Sequence, residues 1–243
     1  MRIGTLLPVL AAVPLGPVAA LKTTNASSLM LVALPLSPDL DLDPPIRGWR
    51  VSSIHIGAGV NVAVFGRPTW TTRLPGRIFV LNGTAAERAA GNATLVNQVA
   101  FGPPRALVLP PAGSPEFVTA APPDAAEAFV NPAAGTPFAF APSAFSFALP
   151  VDYATVVPGR PGVWLACNRT VLYYQRTYIL LAFTDAKPVD GEAGGLQIAV
   201  PEACAPVELV PECTWAQGDG FQVKSAPLPF AQEIMCYEDL DGL

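Results

Sequence analysis

The stretch GVWLACNRTVLYY, residues 162–174, sets an apolar run, a cysteine, an N-x-T triplet and two adjacent tyrosines side by side. It reads as a strand leaving the core. Trp164 and Ala166 are buried, Cys167 bridges to another strand, and Asn168 reaches solvent. A buried thiol beside a sugar acceptor then describes an extracellular β-protein, and the rest of the chain is read against that expectation.

Further short apolar or alternating runs follow the same pattern: 28–34, 49–56, 60–65, 77–81, 94–101, 105–109, 137–141, 144–149, 174–183, 196–200, 206–210 and 220–224. Phe138/Phe140 and Phe145/Phe147 alternate with small or polar neighbours at the period of a strand. Pro, Gly and Asp clusters such as SPDLDLDPP, GRPGV and KPVDGEAGG separate the runs. No stretch sustains a 3.6-residue period for three turns, although 84–92 and 124–129 have the composition of single helical turns. The expected fold is all-β: an antiparallel β-sandwich or a partly closed barrel with long Pro-rich loops. The Pro- and Ala-rich segment 110–136 is expected to be a mobile loop.

The N-terminus reads as an address. Arg2 precedes an apolar stretch from Ile3 to Val18, and Val18-Ala19-Ala20 places small residues where signal peptidase cuts. Pro8, Pro14 and Pro17 interrupt the stretch, which is too short for a membrane span of about 20 apolar residues. No other run approaches that length, and the acidic end EIMCYEDLDGL carries no anchor signal. Residues 1–20 are therefore expected to be a signal peptide and 21–243 a single domain. Its core is expected at about 29–211, with a C-terminal extension from 212 to 243.

Four cysteines, Cys167, Cys204, Cys213 and Cys236, lie far apart with no C-x-x-C, which argues against zinc and for two disulfides. Three pairings are open. Loop lengths favour Cys167 with Cys204 and Cys213 with Cys236, each stabilising by roughly 3–4 kcal/mol in the chain-entropy account. Of seven asparagines, four head N-x-S/T triplets: Asn25, Asn82, Asn92 and Asn168. These are the expected glycosylation sites.

Net charge is −5 for the whole chain and −6 once Arg2 is removed, 13 basic against 19 acidic residues. With a pI near 4.8 this excludes nucleic acid and anionic membrane surfaces as general partners. Charged residues make up only 14%, while prolines number 28 and glycines 20, a turn-rich and weakly charged composition.

Residues that carry chemistry are sparse. The one histidine, His55, stands between Ile54 and Ile56 and reads as structural. Gly57 and Gly59 lack the third glycine of a nucleotide loop, Val62 standing in its place, so they read as a tight turn. Asp39, Asp41 and Asp43 have calcium-loop spacing, but the required Gly and distal Glu are missing. They read as a solvated linker. No G-x-S-x-G occurs. No catalytic residue, metal ligand or cofactor is expected. Trp164, Tyr173, Tyr174 and Tyr178 have the character of a sugar-stacking platform, yet read first as core or sheet cover.

Two segments carry a resemblance. GVWLACNRTVLYYQRTYILLAF and VPEACAPVELVPE are similar to the C-terminal half of a family of small secreted proteins of filamentous fungi with no assigned function. Trp164, Leu165 and Cys167 match its W-L-x-C strand. Pro201, Cys204, Val207 and Leu209 match its P-x-x-C-x-x-V-x-L segment, which supplies the partner cysteine. The turn at His55, Gly57, Ala58 and Gly59 resembles the family's H-x-G-A-G. The likeness spans about 29–211, and the chain departs from it in Cys213, Cys236 and the Pro/Ala loop. It implies a secreted β-protein and brings no catalytic residue. The expected role is non-enzymatic, at cell-wall polysaccharide or a host surface. A carbohydrate-binding module and a two-carboxylate glycosidase are the alternatives, separated by whether aromatics or paired acids face solvent.

Overall fold

The computed structural model describes residues 22–36, 38–57, 59–67, 76–97, 105–109, 125–131, 137–142, 154–158, 162–185, 187–188, 196–197, 200–214, 230–238 and 240. The segment 1–20 expected to be a signal peptide, the strands expected at 144–149 and 220–224, and Ala58 lie outside them. The strands in chain order are β1 (Thr23–Ala26), β2 (Leu29–Pro35), β3 (Arg50–Gly57), β4 (Val60–Gly66), β5 (Phe79–Asn82) and β6 (Ala93–Asn97). There follow β7 (Arg105–Val108), β8 (Ala125–Glu127), β9 (Phe129–Asn131), β10 (Pro137–Pro142), β11 (Ala154–Pro158) and β12 (Gly162–Val171). The last are β13 (Arg176–Asp185), β14 (Lys187–Pro188), β15 (Leu196–Gln197), β16 (Cys204–Cys213), β17 (Ala231–Gln232) and β18 (Ile234–Tyr237). One helix, α1 (Ala85–Ala89), and one 3-10 turn, Pro38–Leu40, interrupt them.

The fold is all-β. All strands but the small β14–β15 pair belong to one hydrogen-bonded network. Its pairings close on themselves: β16–β12–β13–β4–β3–β2 returns to β16. Two contacts in that ring are single residue pairs, Val32 with Arg50 and Leu180 with Val64, so the barrel is only partly closed. Strands β5, β6, β7 and β9 form a second bridge between β2 and β4. One parallel contact, Glu212 with Tyr237, joins β16 to β18 in an otherwise antiparallel array.

The apolar runs follow from this closure. A strand covered on both faces need not alternate. In β12, Trp164 and Ala166 enter the main core beside Phe183, Leu181, Val207 and Leu209, while Val163, Leu165 and Cys167 pack in a separate cluster on the other face. All seven residues of β2 are buried for the same reason. Trp164 and Phe183, cross-strand partners, meet edge to face with centroids 5.3 Å apart.

Two expectations are corrected. Residues 125–129 form no helical turn, and within the segment expected to be one mobile loop 125–131 carry β8 and β9, the rest of 110–136 lying outside the described residues. The Ala128 N–H donates to Leu181 O, and its carbonyl accepts from the Ala63 N–H, so two neighbouring strands claim this backbone. Tertiary pairing overrides the helical preference of Ala and Glu. By contrast 84–92 does make one helical turn. Thr84 and Glu87 form a capping box in which each side chain satisfies the other's backbone N–H.

The structure joins Cys167 to Cys204 and Cys213 to Cys236. Cys167 and Cys204 are direct partners in the β12–β16 ladder. The second bridge ties β18, and β1 paired with it, to the end of β16.

Candidate functional site

The hairpin β12–β13 ends in a four-residue turn, Leu172–Gln175. The Tyr174 N–H donates to Val171 O at 3.1 Å and the Gln175 N–H to Leu172 O at 3.3 Å. Gln175 closes the turn at φ +50°, the left-handed region that non-glycine residues adopt in tight corners. Below the turn, Val171 and Leu180 are fully buried against Ile54, Val62, Val64 and Phe129. Above it, Leu172, Tyr173 and Tyr174 are 59%, 61% and 38% exposed. A well-anchored hairpin thus holds three large apolar side chains in water.

The second hairpin, β3–β4, reaches the same place. Its ladder shifts register between His55 and Gly57, and the turn passes through Gly57 at φ +117° and Gly59 at φ +80°. A Cβ on Gly57 would stand 3.9 Å from Cε2 of Tyr173, so the ring covers this glycine. The Gly59 carbonyl accepts from Asn61 Nδ2 and from Arg105 Nη1, each at 3.2 Å, which pins the turn to β7.

Four rings follow one another here. His55 and Tyr173 are 6.3 Å apart at 78°, Tyr173 and Tyr174 4.9 Å at 81°, and Tyr174 and Tyr178 6.0 Å at 61°. Each contact is edge to face, the favoured arrangement of two ring quadrupoles. The result is a stepped surface, not a flat one. His55, read from the sequence as structural, is exposed, because the ladder ends beside it. Tyr173 and Tyr174 are likewise not core, whereas Trp164 is.

Positive charge gathers at this end. Arg77 Nε donates to Ser53 Oγ at 3.1 Å, and burial followed by the neighbouring Arg105 charge pushes its guanidinium below the usual arginine range. Arg176, exposed, follows the turn, and Arg169 is the cross-strand partner of Tyr178. The sequence around both hairpins is free of acids. No Asp or Glu occurs from 44 to 86 or from 153 to 184, and those stretches hold Arg47, Arg50, Arg67, Arg73 and Arg77, then Arg160, Arg169 and Arg176. Leu172, Arg105 and Arg176 were not singled out from the sequence. For Leu172 and Arg176 the signal was this acid-free composition in an otherwise acidic chain; Arg105 lies outside both stretches.

The other expected sites are scattered. Asn25, Asn92 and Asn168 are exposed, and Asn82 is half-buried. Asn82 lies opposite Thr94, whose hydroxyl donates to its carbonyl at 3.4 Å, so two triplets flank the α1 excursion. Asp41 serves its own loop: Oδ1 accepts from the N–H groups of Leu42 and Ile46 at 2.7 and 3.1 Å. No cluster of three potential metal ligands occurs among the described residues, and none of the described helices is long and apolar enough to cross a membrane.

The comparisons place the chain among fungal proteins. It is 31% identical over 225 residues to "Antigenic protein SchS34" of Stachybotrys chartarum, covering 91% of this chain and 90% of that protein. No solved structure matches it. Residues 27–213 match the domain of unknown function DUF7907. The matched region ends at Cys213, so the Cys213–Cys236 bridge fastens a strand outside the domain onto its last residue. Since that match spans most of the chain, the protein belongs to the DUF7907 family.

Proposed function

We propose that this is a secreted, N-glycosylated binding protein that works at a cell-wall or host surface by contact, without catalysis. The observation that carries the reading is the exposed Leu172–Tyr173–Tyr174 tip, rooted in a buried cluster and flanked by His55 and Tyr178. Leaving large apolar side chains exposed to water has a cost that folding alone does not explain, and an anchored aromatic tip is a common contact surface. Two disulfides and a relative described as antigenic support an extracellular location.

Among surface ligands, carbohydrate is favoured. Tyrosine offers a face for the C–H side of a pyranose ring and a hydroxyl for its oxygens. The buried carboxylate of Glu212 is held in a fork by Arg50 and serves the fold. A glycan-array screen of the secreted protein against its Tyr173→Ala/Tyr174→Ala variant tests the reading. Binding that the double substitution removes supports it; binding unaffected by the substitution counts against it. N-terminal sequencing should find Leu21 first, and N-glycosidase should lower the apparent mass.

A further inference from the structure

Resting on that reading, we propose that the tip takes a single soluble polysaccharide chain bearing carboxylates, a uronic-acid glycan, and not a neutral or crystalline one. Two observations carry this. The first is ring geometry. Consecutive rings in the series His55, Tyr173, Tyr174, Tyr178 are turned by 78°, 81° and 61°. A crystalline polysaccharide face needs coplanar rings, and these cannot lie flat on one together. A free chain, twisting from sugar to sugar, can meet them one at a time.

The second is charge. The protein carries −5 overall, yet the turns of both hairpins that build the tip lie in acid-free stretches whose charged residues are arginines, and the one acid of the β12–β13 hairpin, Asp185, stands at the end of β13 far from the turn. Arg176 stands exposed directly after the turn, and Arg105 holds the Gly59 turn beside Asn61 and His55, while Arg169, the cross-strand partner of Tyr178, turns its guanidinium to Cys204 Sγ at 3.7 Å. The described acids on adjoining strands stand away from the turn: Glu127 pairs with Ala182, and Glu202 lies by the Cys167–Cys204 bridge. A guanidinium fork matches a carboxylate in two hydrogen bonds, and such charge-assisted bonds are roughly twice as strong as neutral ones. An acidic protein with its aromatic contact surface at its basic end is built to select anionic ligands while its remaining surface repels them.

The test uses the full secreted chain with three immobilised probes: polygalacturonate, a neutral β-glucan, and vesicles containing phosphatidylserine. Polygalacturonate should bind at least about tenfold tighter than the glucan, a difference of about 1.4 kcal/mol, and should weaken as salt rises. Arg176→Gln should lower polygalacturonate binding several-fold, and Tyr173→Ala/Tyr174→Ala should lower it further. All three positions are exposed, and unchanged melting of the variants certifies the fold. Equal binding to the glucan overturns the acidic-ligand proposal and leaves the carbohydrate reading standing. Binding to vesicles alone, or to no glycan, overturns both. Salt-independent binding insensitive to Arg176→Gln overturns the charge argument even if polygalacturonate is bound.

Discussion

Arg50 and Glu212, 162 residues apart in sequence, meet as a buried two-bond fork: Nε donates to Oε2 at 2.7 Å and Nη2 to Oε1 at 2.9 Å. They flank β2 from either side, Arg50 opposite Val32 and Glu212 opposite Met30. Removing one partner leaves an uncompensated charge in the interior, which costs about 3–5 kcal/mol. Arg50→Met should therefore lower the denaturation midpoint sharply, and Arg50→Met/Glu212→Leu should recover most of the loss. Guanidinium unfolding curves of both variants check this. A loss below about 1 kcal/mol for the single variant would show the pair to be solvated.

How much of this was legible in the sequence depends on who sets each residue's surroundings. The long strands were legible because local composition decides them. The strand read at the start of the stretch 162–174 is β12, and the runs at 49–56 and 60–65 match β3 and β4 to within a residue. Ala125–Asn131 was not legible. Its Ala-rich composition favours helix, and only the unsatisfied edges of β4 and β13 make it extended. Thr23–Ala26 is polar and half-exposed, and is a strand through its pairing with β18. The tip was half legible. Tyr173, Tyr174 and Tyr178 were noted as aromatics, but their exposure depends on Gln175 closing the turn four residues after Val171 enters the core, which apolar content does not reveal. That His55 joins them required knowing that β3–β4 ends beside β12–β13.

Gly162 should tolerate no side chain. A Cβ there would fall on the carbonyl oxygen of Thr184 and 2.5 Å from Cζ of Phe183. The oxygen is backbone, held in the β12–β13 ladder, and the ring packs against Trp164. Neither can retreat cheaply. Gly162→Ala should cost about 1–3 kcal/mol or more, the range for overpacking. Thermal melting measures it, and an unchanged midpoint would mean that the strand end shifts freely.

The two disulfides should fail differently. Cys167–Cys204 staples two strands in the middle of the barrel ring, so Cys167→Ser/Cys204→Ser should lower global stability by about 2–5 kcal/mol. Cys213–Cys236 holds β18, which otherwise rests on β1 and a single pair with β16. Its removal should open β1 and β18 locally. Hydrogen exchange should rise in 22–26 and 231–238 while β12 and β13 stay protected. Uniform loss of protection in that variant would contradict the assignment.

The cap of α1 should titrate. The Glu87 carboxyl is held below its ordinary range by hydrogen bonds from the Thr84 backbone N–H and then from the Thr84 hydroxyl, against a small opposing effect of burial. A depressed folded-state pKa means that the carboxylate stabilises the fold above the unfolded pKa. That contribution fades as pH falls through the lower, folded value. The turn at 84–90 should accordingly fray in acid below the usual glutamate range, while the strands around it persist. Thr84→Val removes the hydroxyl and keeps the backbone donor, so the Glu87 pKa should rise only part of the way to normal. Thr84→Ser should leave it low and, unlike valine, should preserve the acceptor triplet at Asn82. Carboxyl-carbon NMR titration of the three forms separates the two hydrogen bonds. A Glu87 pKa indifferent to Thr84→Val would mean that the hydroxyl takes no part in the cap.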